Sequence, residues 1–154
     1  MGEARIVGAR ARAAATALRI IAVMQGLHLT ADLHACAGAA LCFDPPALRA
    51  LCLQAVAEAG LLAVGELFHR FDGDGGVTGV VLLAESHLAL HTWPELRAVT
   101  LDVYVCNFSA DNSARAQALL QALEAAFAPG HSERQQLQRG RAPPAPPLRP
   151  RAGS

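Results

Sequence analysis

The chain has 154 residues, 53% of them hydrophobic, and its 13 basic and 13 acidic side chains cancel to a formal net charge of zero. That composition excludes a disordered polypeptide and offers no basic surface for nucleic acid. No apolar run approaches the roughly 20 residues needed to span a membrane as a helix, and the length fits one domain.

Residues 1–25 are Ala- and Arg-rich and read as a peripheral extension; Arg5, Arg10, Arg12 and Arg19 also fit a transit peptide. Ile20–Met24 is apolar but short, and no small-residue cleavage site follows it, so no secretory signal is expected. Leu27, Leu29, Ala31 and Leu33 alternate with His28, Thr30, Asp32 and His34, the period of a half-buried strand. Asp44 followed by Pro45 and Pro46 predicts a helix start, and the Ala/Leu-rich run that follows ends before Gly60. Leu61–Phe71 reads as a second strand and Asp72–Gly76 as a turn. Val77–Ala84 reads as a buried strand, with two more at Leu88–Trp93 and Val99–Cys106. Leu119, Leu120, Leu123 and Phe127 lie at helical spacing within Ala114–Phe127, and Arg134–Arg139 reads as a polar edge strand. Residues 141–154 are Pro-rich and read as a disordered tail outside a domain of residues 26–140. The order β-α-β-β-β-β-α-β predicts an α+β two-layer sandwich, a mostly antiparallel sheet with helices on one face. The bare face then needs cover, which predicts a homodimer.

Cys36, Cys42, Cys52 and Cys106 show no CxxC spacing, which predicts free thiols and a cytoplasmic setting. The reactive side chains gather in Glu85-Ser86-His87-Leu88-Ala89-Leu90-His91-Thr92-Trp93-Pro94-Glu95, at the end of an apolar strand. This segment resembles the ESHxxxHTWPE signature of the prokaryotic, pyruvoyl-dependent S-adenosylmethionine decarboxylases. The resemblance continues upstream through Phe68-His69-Arg70-Phe71 and Gly76-Val77-Thr78-Gly79, and downstream through Leu101-Asp102-Val103-Tyr104-Val105-Cys106.

The chemistry available to these residues agrees with it. The Ser86 hydroxyl can attack the carbonyl carbon of Glu85 and turn the amide into an ester, through an oxyanion that needs a donor. Removal of the Ser86 α-proton, suited to a histidine, expels the ester by β-elimination. Hydrolysis then leaves a pyruvoyl group on a chain starting at residue 86, and a β chain ending at residue 85. The pyruvoyl ketone would form a Schiff base with the substrate amine and accept the electrons of the departing carboxylate.

The resemblance implies a role for each matching residue. Ser86 is the pyruvoyl precursor, His91 the proton acceptor in processing, and Cys106 the acid that reprotonates the product. Thr78 stands where the family commonly has serine, and its hydroxyl would support processing. Phe71 and Trp93 match aromatics near the nucleoside, and Glu95 matches the ribose-binding acid. Phe71 also suits simple core packing, and Glu95 a solvated turn. Ser86 and His91 are five apart, an odd spacing that faces opposite sides of a flat strand, so a bend or bulge near the cut is expected.

S-adenosylmethionine is the expected substrate, with spermidine synthesis as the destination of its decarboxylated product. Three rivals stay open: a pyruvoyl-dependent arginine or ornithine decarboxylase, a metal enzyme built on His87 and His91, and an uncleaved, non-catalytic partner. His28, His34, His69 and His131 read as structural or exposed, and Cys36, Cys42 and Cys52 as ordinary thiols.

Overall fold

The computed structural model describes residues 25–38, 44–73 and 75–140. The N-terminal extension up to residue 24, Cys42 and the Pro-rich tail lie outside the described residues. In chain order the elements are β1 (Gly26–His34), α1 (Pro45–Glu58), β2 (Ala63–Arg70), β3 (Val77–Leu83), β4 (Ser86–Trp93), a 3-10 turn (Pro94–Leu96), β5 (Ala98–Cys106), α2 (Ser113–Phe127) and β6 (His131–Arg139).

The strands form one six-stranded sheet in the order β2-β3-β4-β5-β1-β6 among the described residues. Every pairing in it is antiparallel, which sharpens the expected mostly antiparallel sheet. α1 lies against β2 and β3, α2 against β1 and β5, and the two helices touch each other. The helices share one face because the strand residues that point there are apolar. Leu27, Leu29, Ala31 and Leu33 of β1 join Val99, Leu101, Val103 and Val105 of β5 in the buried core. Leu48, Cys52, Leu119, Leu123 and Phe127 close over them from the helices. Each fully buried leucine there contributes on the order of 1.5–3 kcal/mol.

Asp44 takes the extended backbone of an N-cap, and its carbonyl accepts from the Leu48 N–H at 2.9 Å, but its side chain makes no cap bond. Gly60, at φ 72°, turns the chain out of α1 in a conformation that favours glycine. Gly76 is required by contact instead. A Cβ there would sit 1.7 Å from the Thr92 carbonyl oxygen. That closeness lets the buried Thr92 Oγ1 accept from the Val77 N–H at 2.7 Å and staples β3 to β4.

Two strand expectations are corrected. Val77–Leu83 is buried on alternate residues, with Leu82 51% exposed, so the strand has a bare face where full burial was expected. β4 starts at Ser86, two residues early, because Ser86 and His87 already pair with Leu83 and Leu82. Among the described residues nothing covers the sheet face away from the helices, and Leu67, Leu82 and Leu137 stand exposed on it.

Candidate active site

Ser86 opens β4 immediately after the tight connection from β3. Its hydroxyl donates to the carbonyl oxygen of Glu85, beside the Glu85–Ser86 peptide bond it is expected to break. The Cys106 N–H donates to Ser86 Oγ at 2.7 Å and fixes the oxygen from the other side. Glu85 is held too. Its carboxylate accepts from the Phe108 and Ser109 N–H groups at 3.2 and 3.3 Å. Hydrogen bonding from Ser109, side chain first and backbone after, with help from the Phe108 N–H, keeps this carboxyl below the usual carboxylate range. The loop carrying those donors is tied down by Asn112, whose side-chain amide donates to the Cys106 carbonyl at 3.0 Å.

Two cavities meet at this end of the sheet and share Ala84, Glu85 and Cys106. One, of about 290 Å³, also holds Ser86 and Arg115; the other, of about 610 Å³, holds Tyr104, Phe108 and Arg139. The Cys106 thiol donates to Tyr104 Oη at 3.2 Å. Ser86 and Cys106, distant in sequence, are thus brought together by the β4–β5 pairing.

Thr78, His91, Phe71, Trp93 and Glu95 are also brought together, but elsewhere. They line a cavity of about 310 Å³ at the opposite end of β4. Thr78 and His91 face each other across the β3–β4 ladder, with 2.9 Å between Oγ1 and Nδ1. The His91 and Trp93 rings lie 5.9 Å apart. Phe71 is 51% exposed, so it is not a core residue. Glu95 sits exposed in the 3-10 turn, after Pro94.

The expected bend between Ser86 and His91 is not there. The β3–β4 register runs evenly from Thr78↔His91 to Leu83↔Ser86, with no bulge. Five residues of unbroken strand hold the two about 17 Å apart, on opposite faces. Nor do His87 and His91 converge on an ion. Four extended residues separate them by about 13 Å. His87 Nε2 is instead 3.2 Å from Asp102 Oδ1.

Sequence reasoning missed the company of Tyr104. On the bare face Asp102 lies between His28 and His87, with His28 Nε2 2.8 Å from Asp102 Oδ2. His28 had read as merely structural or exposed. The even-numbered residues of β1 and β5 share this face, and that parity was the available signal.

The sequence model of the S-adenosylmethionine decarboxylase family matches residues 27–140. The chain belongs to that family. An S-adenosylmethionine decarboxylase proenzyme of Methanococcus maripaludis is 40% identical over 81 residues, 53% of this chain and 65% of the relative. The proenzyme of Carboxydothermus hydrogenoformans is 38% identical over 86 residues, 56% of this chain and 66% of the relative. The chain thus spans slightly under two thirds of these family members. The crystal structure of the adenosylmethionine decarboxylase from Aquifex aeolicus superimposes with a TM-score of 0.70 at 33% identity, covering 79% of this chain and 95% of that one. The likeness bears out the α+β fold expected from sequence.

Proposed function

We propose that this chain is a self-cleaving S-adenosylmethionine decarboxylase, cut between Glu85 and Ser86 within a domain of residues 26–140. The observation that carries the reading is the placement of the Ser86 hydroxyl on the Glu85 carbonyl, with the Cys106 N–H holding that oxygen from behind. The fit to a pyruvoyl group is good, because the Ser86 hydroxyl already lies beside the carbonyl group whose carbon it must attack. Once formed from Ser86, that group supplies an electron sink for the departing carboxylate. Cys106, in the same cavities, returns a proton to the product carbon.

His91 and Thr78 act as a pair, His91 as the base for the Ser86 α-proton and Thr78 as its hydrogen-bonded support. Within one chain they stand too far from Ser86 for proton transfer, which works over about 3 Å. A two-fold axis through the bare sheet face lays the His91 end of one copy over the Ser86 end of the other. The dimer covers Leu67, Leu82 and Leu137 and completes two equivalent sites. Phe71 and Trp93 then offer flat faces to an adenine and Glu95 a carboxylate to ribose hydroxyls. This aromatic and acidic cavity favours S-adenosylmethionine over arginine or ornithine, and the product is the aminopropyl donor for spermidine. The buried thiols of Cys36 and Cys52 suit a cytoplasmic protein.

The test is an intact-mass spectrum of denatured protein. Two fragments meeting at residues 85 and 86 are expected, the second blocked at its N-terminus, and one unbroken chain for Ser86→Ala. Cleavage of Ser86→Ala at the same bond refutes the assigned nucleophile. A panel of amino substrates scored by carbon dioxide release separates S-adenosylmethionine from arginine and ornithine.

A further inference from the structure

Tyr104 is the only tyrosine in the sequence, and it is clamped from several sides. The His28 ring meets it edge-on at 5.7 Å, and the His87 ring lies at the same distance, tilted. The Arg139 guanidinium lies over its ring at 5.4 Å from the centroid, and Arg139 Nη1 stands 3.2 Å from His28 Nδ1. Both histidines are tied to one carboxylate, Asp102. The floor is Gly26, where an added Cβ would come within 3.0 Å of Tyr104 Oη and 2.9 Å of its ring. The one polar atom at the tip of this clamped ring contacts the Cys106 sulfur. So much apparatus around a single phenol, with the thiol at its tip, calls for a function.

We infer that Tyr104 is a positioning residue for Cys106: it holds the thiol in place and hydrogen-bonds to the thiolate that forms when the thiol gives up its proton. The inference rests on the reading of Cys106 as the acid. The S–H bond breaks, a C–H bond forms on the product carbon, and the electron pair stays on sulfur. The Tyr104 O–H, an acceptor before the transfer, then turns to donate to that sulfur; the thiolate later regains a proton from solvent. Contact with Cys106, then burial, raise the Tyr104 phenol above its ordinary range against the pull of Arg139. It therefore stays protonated, as a donor must.

Other charges face this thiol and set its background. Arg139 on β6, Glu85 and Arg115 share its cavities, while His28 on β1, His87 on β4 and Asp102 on β5 surround the Tyr104 ring. A phenol hydrogen bond is distinguished from them by changing only the hydroxyl.

The experiment follows alkylation of Cys106 by iodoacetamide against pH in the full-length protein, read as the mass of the Cys106 peptide. Tyr104→Phe should slow alkylation about ten- to a hundredfold at a pH below both midpoints, because one hydrogen bond to a charged group is lost. The same variant should lower kcat for carbon dioxide release with KM unchanged. Replacing the single tyrosine by 3-fluorotyrosine keeps the ring and strengthens the donor, so the alkylation midpoint should move down, a result no purely structural role gives. An alkylation profile unmoved in both proteins overturns the inference. Cys106→Ala separates the two levels: full decarboxylation by that variant refutes Cys106 as the acid, whatever the alkylation shows.

Discussion

The separation of Ser86 from His91 makes a prediction that can be counted. On the proposed roles, Ser86→Ala lacks the nucleophile and His91→Ala lacks the base, so each expressed alone should remain one chain. The strand between them is unbroken, and a gap of about 17 Å cannot be closed by rotamer changes when proton transfer needs about 3 Å. On the proposed roles a site therefore takes Ser86 from one copy and His91 from another. In an equal co-expression with random pairing, about half of the His91→Ala chains sit in mixed dimers. Each mixed dimer holds one intact site, made of the His91→Ala chain's Ser86 and the Ser86→Ala chain's His91. About half of the His91→Ala chains should then be cut and none of the Ser86→Ala chains. Intact-mass spectrometry with a mass tag on one variant reads this directly. Absence of cleavage in the mixture, with wild-type protein fully cut and both variants folded by circular dichroism, refutes assembly across two copies. Cleavage of His91→Ala alone at the wild-type rate refutes the base.

Stability predictions follow from the packing. Gly76→Ala drives a Cβ into the Thr92 carbonyl and should cost at least about 1–3 kcal/mol in urea unfolding. Phe127→Ala, at a fully buried position, should cost about 3–5 kcal/mol. Arg134→Ala strands the buried Glu124, whose Oε1 accepts from Arg134 Nε at 2.7 Å. Because the Arg134 side chain is 57% exposed, about 2–3 kcal/mol is expected, less than the roughly 3–5 of a wholly buried pair. Burial pushes the Cys52 thiol from 9.0 up to about 12. The unfolded chain then loses that proton first, so stability is intact below pH 9 and falls as pH climbs toward 12. Cys52→Ala should flatten that alkaline decline in thermal melts, and an unchanged slope would count against the assignment.

The element order was most legible in β1 and β5, whose apolar residues recur at every second position on the helix side. Leu27 to Leu33 and Leu101 to Val105 each name their own buried face. Asp44-Pro45-Pro46 marked the start of α1 for the same local reason, the fixed φ of proline in a first turn. What escaped was set at longer range. The insertion of β1 between β5 and β6 depends on pairing over long sequence distances. The left-handed backbone at Ala35, Arg97 and Ala128 carries no glycine to announce it. Within the site, the signature named its residues but could not divide them, since sequence adjacency conceals which end of a strand each occupies. Val77–Leu83 misled because an apolar run reads alike whether both faces are covered or one is left bare.

The strand order gives the cut a mechanical meaning. Scission after residue 85 would put β1, α1, β2 and β3 on one polypeptide and β4, β5, α2 and β6 on the other. Because β1 is threaded between β5 and β6, the two pieces interlock along three ladders, β3–β4, β5–β1 and β1–β6. Neither half can be peeled away from an edge; parting them means dismantling the sheet. Melting of the processed protein thus releases two polypeptides from every protomer, so its midpoint should climb more steeply with protein concentration than that of the uncut Ser86→Ala fold, which has no nicked ladder to pull apart.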